Sequence, residues 1–449
     1  MMVEARRMGG RLFGAGVLLW VTLVASHAWA GDTQPQDPGG NQPAAPGPPA
    51  TPVPAAPPSP GWLDRWLNPK YAPFIPVPEI ATDPDSGTTV GLLAVRLKTD
   101  ADDNISQILA PDFLHNPNFG YGMHARIYSY ASGDEQWSID AGIKERVERG
   151  FDAEYQVGRQ RDDRWSIGYS LIFDRDGSPR FYGIGNSSRE NEQTNFTNSQ
   201  ELAQINLGLN ITHAWQLLYT GRLQIVDVLP GTLQGIASIQ TLFPGIDGLG
   251  TNKLIRNRLS LIYDTRDALT IPSNGVQMIA YGGMASQEGL FSNSLYTESG
   301  FDGRAFWPVL HSTTLALHTA IRYLPYAHDL PFWALSTLGG GESDVGGAQP
   351  LRGFGAGRFY ARDSFATSAE LRRTVASFNA GGTNIDLEFA PFVDIGRVFS
   401  HSGVLPFDDL HVVYGAGFRG IAKPFVVGHV DVGYGSEGLA VFTGINYPF

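Results

Sequence analysis

The sequence predicts an all-β fold: a transmembrane antiparallel β-barrel of about 16 strands, behind a disordered N-terminal linker. Three observations predict it. Apolar and polar residues alternate with a period of two through most of the chain, which marks strands with one wet and one apolar face. The alternating segments run longer than the ordinary globular strand of about 5–6 residues and suit a tilted membrane crossing. Connections between them are short and long in turn, as on the two sides of an outer-membrane barrel, whereas a soluble sandwich has no reason to keep that parity.

Composition alone gives a different impression. The 449 residues are 42% hydrophobic and 17% charged, with a net charge of −12 and a mean hydropathy of −0.13, which reads as a soluble acidic protein. That average also results when apolar residues take every second position facing lipid and polar residues take the rest. The acidic balance argues against a nucleic-acid partner. With no Cys, the chain has no disulfides, thiolate metal sites, Cys nucleophile or lipid-modified cysteine. The 54 Gly and 11% aromatic residues suit tight-turned β structure.

At the N-terminus, Arg6, Arg7 and Arg11 flank the apolar run 12–25, and Ala28-Trp29-Ala30 offers the small-x-small pattern of a cleavage site. Residues 1–30 therefore read as a signal peptide, which sends the mature chain out of the cytoplasm. Residues 31–60 read as a linker, because 11 of the 30 prolines fall within 32–60 and no apolar periodicity offsets the entropy of ordering them. In the lead-in segment 61–87, Trp62, Leu63, Trp66 and Leu67 share one face of a short helix. Both a local packing element and an anchor at the membrane interface fit that face.

The barrel domain is expected over 88–449. Strands are placed at 88–97, 121–130, 136–147, 151–160, 165–175, 200–211, 214–227 and 254–266, then at 275–286, 294–307, 313–323, 365–376, 386–399, 410–421, 425–435 and 438–449. Trp137, Ile139, Ala141 and Ile143 interleave with Ser138, Asp140, Gly142 and Lys144. Phe151, Ala153, Tyr155 and Val157 interleave with Asp152, Glu154, Gln156 and Gly158. Trp165, Ile167, Tyr169, Leu171 and Phe173 continue the pattern, as do Leu315, Leu317, Thr319, Ile321 and Tyr323. Short turns fall at 131–135, 161–164, 212–213, 308–312 and 422–424, and long loops at 98–120, 176–199, 228–253 and 324–364. Trp137, Trp165, Trp215, Tyr219, Tyr323 and Tyr447 lie near strand ends, where aromatic girdles form.

Three ordered stretches carry a family resemblance. They are Tyr263-Asp-Thr-Arg-Asp267 with Pro272 and Gly275; Leu351-Arg352-Gly353-Phe354 followed by Ala369-Glu-Leu-Arg372; and Phe392-Val-Asp-Ile-Gly-Arg-Val398 leading into Tyr414-Gly-Ala-Gly417. Together they resemble the BamA/TamA superfamily of outer-membrane barrels, also called the bacterial surface antigen family. The resemblance implies that Arg352 folds back into the lumen and pairs with Glu370 and Asp394. Parity agrees independently: Asp394 shares a face with Glu388 and Gly396, and Glu370 with Arg372. On spacing alone, a solvated lumenal charge is the better reading of Arg352. The last strand, with Tyr447 and Phe449 on one face, resembles the C-terminal signal that outer-membrane assembly machinery reads. Residues 31–73 are too few and too rich in proline for a periplasmic POTRA module, so the chain resembles a barrel-only branch of the family.

No Gly-x-Ser-x-Gly, His-Glu-x-x-His or Gly-x-x-x-x-Gly-Lys motif is present, so no enzyme activity and no cofactor are expected. His318 and His429 fall on lumen-facing positions and read as polar lining. The glycines at 339–341, 346–347 and 353–357 lack the strand–helix frame of a phosphate cradle. Asp100, Asp102, Asp103 and Asn104 fit a solvated acidic loop better than a cation site, and no metal is expected. The resemblance implies a role in outer-membrane protein biogenesis or macromolecule translocation in a Gram-negative outer membrane. Expected partners are membrane lipid, the assembly machinery, and client proteins or lipids. A passive porin-like channel or a structural surface antigen is the alternative. The physical basis of the leading reading is a weak seam between the first strand (88–97) and the last (438–449), where Gly438, Gly444 and Pro448 weaken pairing.

Overall fold

The computed structural model describes residues 74–449, apart from 100–104, 133, 159, 288–293, 341–350, 381–382, 401–406, 423–425 and 446–448. The predicted signal peptide, the linker, Trp62, Trp66, the Asp100–Asn104 cluster, Tyr447 and Pro448 lie outside the described residues.

Among the described residues eighteen antiparallel strands form the wall. They are β1 (Ile75–Asp83), β2 (Gly87–Thr99), β3 (Ile105–Asn116), β4 (Gly120–Tyr130), β5 (Gln136–Lys144) and β6 (Arg149–Val157). There follow β7 (Trp165–Asp176), β8 (Thr194–Asn210), β9 (Trp215–Pro230), β10 (Gly250–Asp264), β11 (Gly275–Ser286) and β12 (Ser294–Leu310). The last six are β13 (Thr313–Ala327), β14 (Asp363–Ala380), β15 (Thr383–Phe399), β16 (His411–Ala422), β17 (Val426–Gly435) and β18 (Gly438–Ile445). Each pairs with its sequence neighbour, so the wall is an up-and-down meander.

The wall is inverted relative to a soluble protein. Along β7, Trp165, Ile167, Tyr169, Leu171 and Phe173 are 43–57% exposed, whereas Ser166, Ser170 and Asp174 on the other face are at most 9% exposed. Such a surface is stable only against hydrocarbon, since each fully exposed large apolar side chain costs about 1.5–3 kcal/mol in water. Aromatic pairs mark the edge of the apolar band at the short-turn end: Trp215 and Tyr263 face each other across β9 and β10 with ring centroids 4.8 Å apart.

Two strands were not expected. β1 lies within the predicted lead-in, so the barrel begins at Ile75 rather than at 88, and β3 lies within the predicted loop 98–120. In β1, Pro76 and Pro78 read as strand breakers, yet proline is tolerated on an edge strand because its missing N–H faces no partner. In β3, the period is blurred by apolar residues on both faces, with Leu114 buried and its neighbour Phe113 exposed. The remaining long connections, 177–193, 231–249 and 328–362, all emerge at one end of the barrel. There they share an aromatic core of Phe181, Phe196, Phe332 and Tyr360 and are stitched by the Phe332 N–H to the Asp247 carbonyl (2.9 Å) and the Gly185 N–H to the Tyr360 carbonyl (2.7 Å). By the usual asymmetry of such barrels this is the cell-surface end.

Closure of the wall is uneven. Every other neighbouring pair is joined by a ladder, but among the described residues no ladder joins β1 to β18. The Thr82 N–H donates to the Thr443 hydroxyl at 3.3 Å instead. N–H groups alternate sides along a strand, so those of even-numbered residues in β1 point at β18. Pro76 and Pro78 carry none, which leaves Ile80 and Thr82 as the donors. The seam therefore involves β1 rather than the strand predicted at 88–97, and the missing donors of Pro76 and Pro78 lie on its β1 side.

Candidate functional site: a lumenal arginine network beside the seam

The loop 328–362 folds inward at Leu351–Phe354. Leu351 takes a left-handed φ of 63°, and its carbonyl accepts the N–H groups of Gly353 (2.8 Å) and Phe354 (3.1 Å), which closes a tight turn. A non-glycine residue in that region is strained and persists only where its surroundings hold it. Here Leu351 and Phe354 are buried with Leu338, Phe359, Phe392, Val398 and Val413. Below this apolar cap a short two-stranded sheet pairs Ser336–Leu338 with Phe359–Ala361 and fixes the base of the loop. Glycine is required where the turn meets the wall, because a Cβ on Gly433 of β17 would sit 2.1 Å from the Arg352 carbonyl oxygen.

The turn aims Arg352 at three strands. Its Nε and Nη2 donate to the two oxygens of Asp394 on β15 at 2.9 and 2.8 Å, and its main-chain N–H adds a third bond at 3.0 Å. Nη1 donates to Glu370 on β14 at 2.8 Å and to Asp431 on β17 at 3.2 Å, and Nη2 reaches the Ser368 hydroxyl at 3.2 Å. The guanidinium plane also lies 3.4 Å from the Phe392 ring centroid. Arg352 and its three carboxylate partners are all buried. A planar fork that makes bidentate and stacking contacts at once is a role lysine cannot fill.

Arg352 is part of a larger network. Glu370 also accepts two bonds of 2.7 Å from Arg419 on β16 and one of 2.6 Å from the Nε of Arg372, while Arg419 reaches Glu388 at 3.1 Å. Three guanidinium groups thus face the four carboxylates Glu370, Glu388, Asp394 and Asp431. Near balance matters, because an unpaired buried charge costs several kcal/mol. Arg352, Glu370 and Asp394, which the motifs and strand parity direct to the lumen, lie together here. Asp431, Arg419, Ser368 and Phe392 complete the network, and no motif in the sequence singles them out as partners. Strand parity carried the signal: Asp431 shares a face with His429, and Phe392 with Asp394.

Beyond Phe354 the loop touches both hairpins that flank the seam. The Ala356 N–H donates to the Asp85 carboxylate at 2.8 Å in the turn between β1 and β2, and the Asp85 carbonyl accepts from Arg180 at 2.8 Å. Arg358 binds Glu437, in the turn between β17 and β18, through Nε at 2.7 and 2.9 Å, and binds the hydroxyl of Ser188 at 2.8 Å.

The other predicted positions fall elsewhere. In the first motif stretch, Asp264 is clamped by Arg266 at 3.0 and 2.9 Å, and Asp267 accepts from the N–H groups of Ser273 (2.9 Å) and Asn274 (3.1 Å), so this stretch orders a turn at the short-turn end. His318 binds Asp302 at 2.7 Å within the lumen wall. Phe449 is buried in the lumen: it packs on Phe306 and Ala316, and its ring stacks on His318 at 5.2 Å. A strand continuing to 449 puts Phe449 on the face of Leu439, which is exposed, whereas Phe449 is buried. Among the described residues no group of His, Asp and Glu side chains is arranged to hold a metal ion.

An inverted antiparallel wall, aromatic edges and a lumen lined by ion pairs define an outer-membrane β-barrel. Residues 133–421 match the family described as the Omp85 superfamily domain, and the chain belongs to that superfamily. Membership supports an outer-membrane location and, in general terms, a part in outer-membrane biogenesis or translocation. No curated protein matches the sequence. Among solved structures, BamA from Haemophilus ducreyi lacking POTRA domains 1–3 is similar at 12% identity and a TM-score of 0.49, over 79% of this chain and 75% of that one. CdiB from Acinetobacter baumannii is similar at 14% identity and a TM-score of 0.47, over 79% of this chain and 65% of that one. CdiB from Escherichia coli shares 12% identity with a TM-score of 0.45, over 84% and 63%.

Proposed function

We propose that this barrel passes or inserts macromolecules at the outer membrane by parting β1 from β18 toward the lipid. The observation that carries the reading is the seam, where among the described residues the Thr82–Thr443 hydrogen bond stands in place of a ladder. A backbone ladder gains about 0.5–1.5 kcal/mol per bond, so opening a fully paired junction costs many kcal/mol and opening this one costs little. Prolines on β1 leave its seam edge short of donors, which lets an incoming strand replace β18 at small loss. The arginine network ties β14, β15, β16 and β17 together and so holds that part of the wall in register while the seam moves. Clients are extended polypeptide strands or lipids, and the chain's own assembly passes through the cellular machinery that reads terminal strands.

Photo-activatable residues at Ile80 and Leu439, in cells carrying the full chain, test this. Adducts to nascent outer-membrane or exported proteins at both positions, absent at the outward residue Leu171 on the far wall, support it. Adducts to lipid alone at all three positions contradict it.

A further inference from the structure

We infer that Arg149 and Arg175 form a binding site for the phosphate of an outer-leaflet lipid on the outside of the barrel. The two residues are direct register partners on β6 and β7, at the end that carries the long loops. Period two puts both on the outward face. Phe151 and Phe173, the next pair on that face, are exposed and pack with ring centroids 6.4 Å apart, and Ile143, the partner of Arg149 on β5, is exposed as well. Two guanidinium groups therefore stand side by side directly above the apolar band, at the level of lipid headgroups.

Among the described residues no carboxylate pairs with either of them, and the Arg175 Nε is buried without a hydrogen-bond partner. Glu201 lies diagonally from Arg175, opposite Phe173 on β8, and makes no ion pair with it. In the adjoining turn exposed Arg146 directs its Nη1 at the Asn118 carbonyl at 3.5 Å, Glu148 is paired with Lys144 and Glu145 accepts the Tyr121 N–H, so the two glutamates of the turn are engaged away from Arg149 and Arg175. Like charges directly opposite each other on a sheet are destabilising, and arginine on a lipid-facing wall is costly except at the interface. A phosphate between the two side chains removes both penalties, because each planar fork presents parallel N–H donors to its oxygens and the charges cancel. A carboxylate or sulfate has a similar charge, but at this depth the phosphorylated headgroup is the abundant anion.

Native mass spectrometry of the full chain in uncharged detergent, titrated with monophosphoryl lipid A, tests the site. The wild type retains one lipid at a concentration about tenfold lower than R149Q/R175Q, and R149K/R175K falls between them because lysine keeps the charge but not the fork. Thermal unfolding of each variant without lipid shows that the folds are intact. Equal retention by wild type and R149Q/R175Q overturns the assignment. Retention of inorganic phosphate at the same concentration as the lipid, lost in R149Q/R175Q, overturns the lipid part of it and leaves a free-anion site.

Discussion

Arg352 and Asp394 are joined by three hydrogen bonds, two from the guanidinium and one from the main-chain N–H of the same residue. The side chain and the backbone of the turn are thus fixed by one carboxylate, so the pairing sets where the loop lies as well as where the charge lies.

Replacing Arg352 with Ala leaves Asp394, Glu370 and Asp431 buried with one cation fewer. Removing one partner of a buried ion pair costs about 3–5 kcal/mol. The expected outcome is a lower unfolding temperature together with faster proteolysis within 328–362, and R352K rescues only part of it. Unchanged melting and unchanged loop cleavage would mean that the network does not hold the loop.

Gly433→Ala tests the same docking from the wall side. The added Cβ meets a backbone carbonyl, which cannot swing away as a side chain can, and overpacking of this kind costs about 1–3 kcal/mol. Loss of the loop's protease protection is expected. A variant as protected as the wild type shows that the turn does not press on β17.

Much of this was legible beforehand. Alternation along Trp165–Phe173 and the parity of Asp394 and Glu370 come directly from the period of a strand, and the structure keeps both. The first strand was hidden because Pro76 and Pro78 signal an interruption, a signal that cannot distinguish a loop from an edge with nothing to pair. The remaining partners of Arg352 were hidden for a different reason. Parity says that Arg419 and Asp431 face the lumen, but which lumenal charges meet depends on register and on how far the loop descends, and neither is written locally.

The seam prolines make a separate prediction. P76V/P78V restores two N–H donors on the edge that faces β18, each worth about 0.5–1.5 kcal/mol if it finds an acceptor. Amide exchange at Ile80 and Thr82 should slow and adduct formation at the seam should fall. Exchange as fast as in the wild type shows that β1 is held open by something other than its missing donors.

Phe449 separates packing from signalling. Its ring lies between His318 and the Arg372 guanidinium, which is 5.1 Å from the ring centroid and whose Nη2 donates to the Phe449 carbonyl at 3.2 Å. Truncating a buried Phe to Ala costs about 3 kcal/mol or more. F449A protein that reaches the membrane should therefore melt earlier than the wild type. Normal melting combined with reduced membrane levels would assign Phe449 to assembly alone.

The central claim is that β1 and β18 part, and locking them tests it most directly. The chain has no cysteine, so Thr82→Cys with Thr443→Cys introduces one defined pair across the seam. Under oxidising conditions, cells that rely on the locked protein should behave as cells lacking it, and a reductant should restore them. Cells with the disulfide formed that remain indistinguishable from those carrying the unmodified chain would contradict a seam that opens.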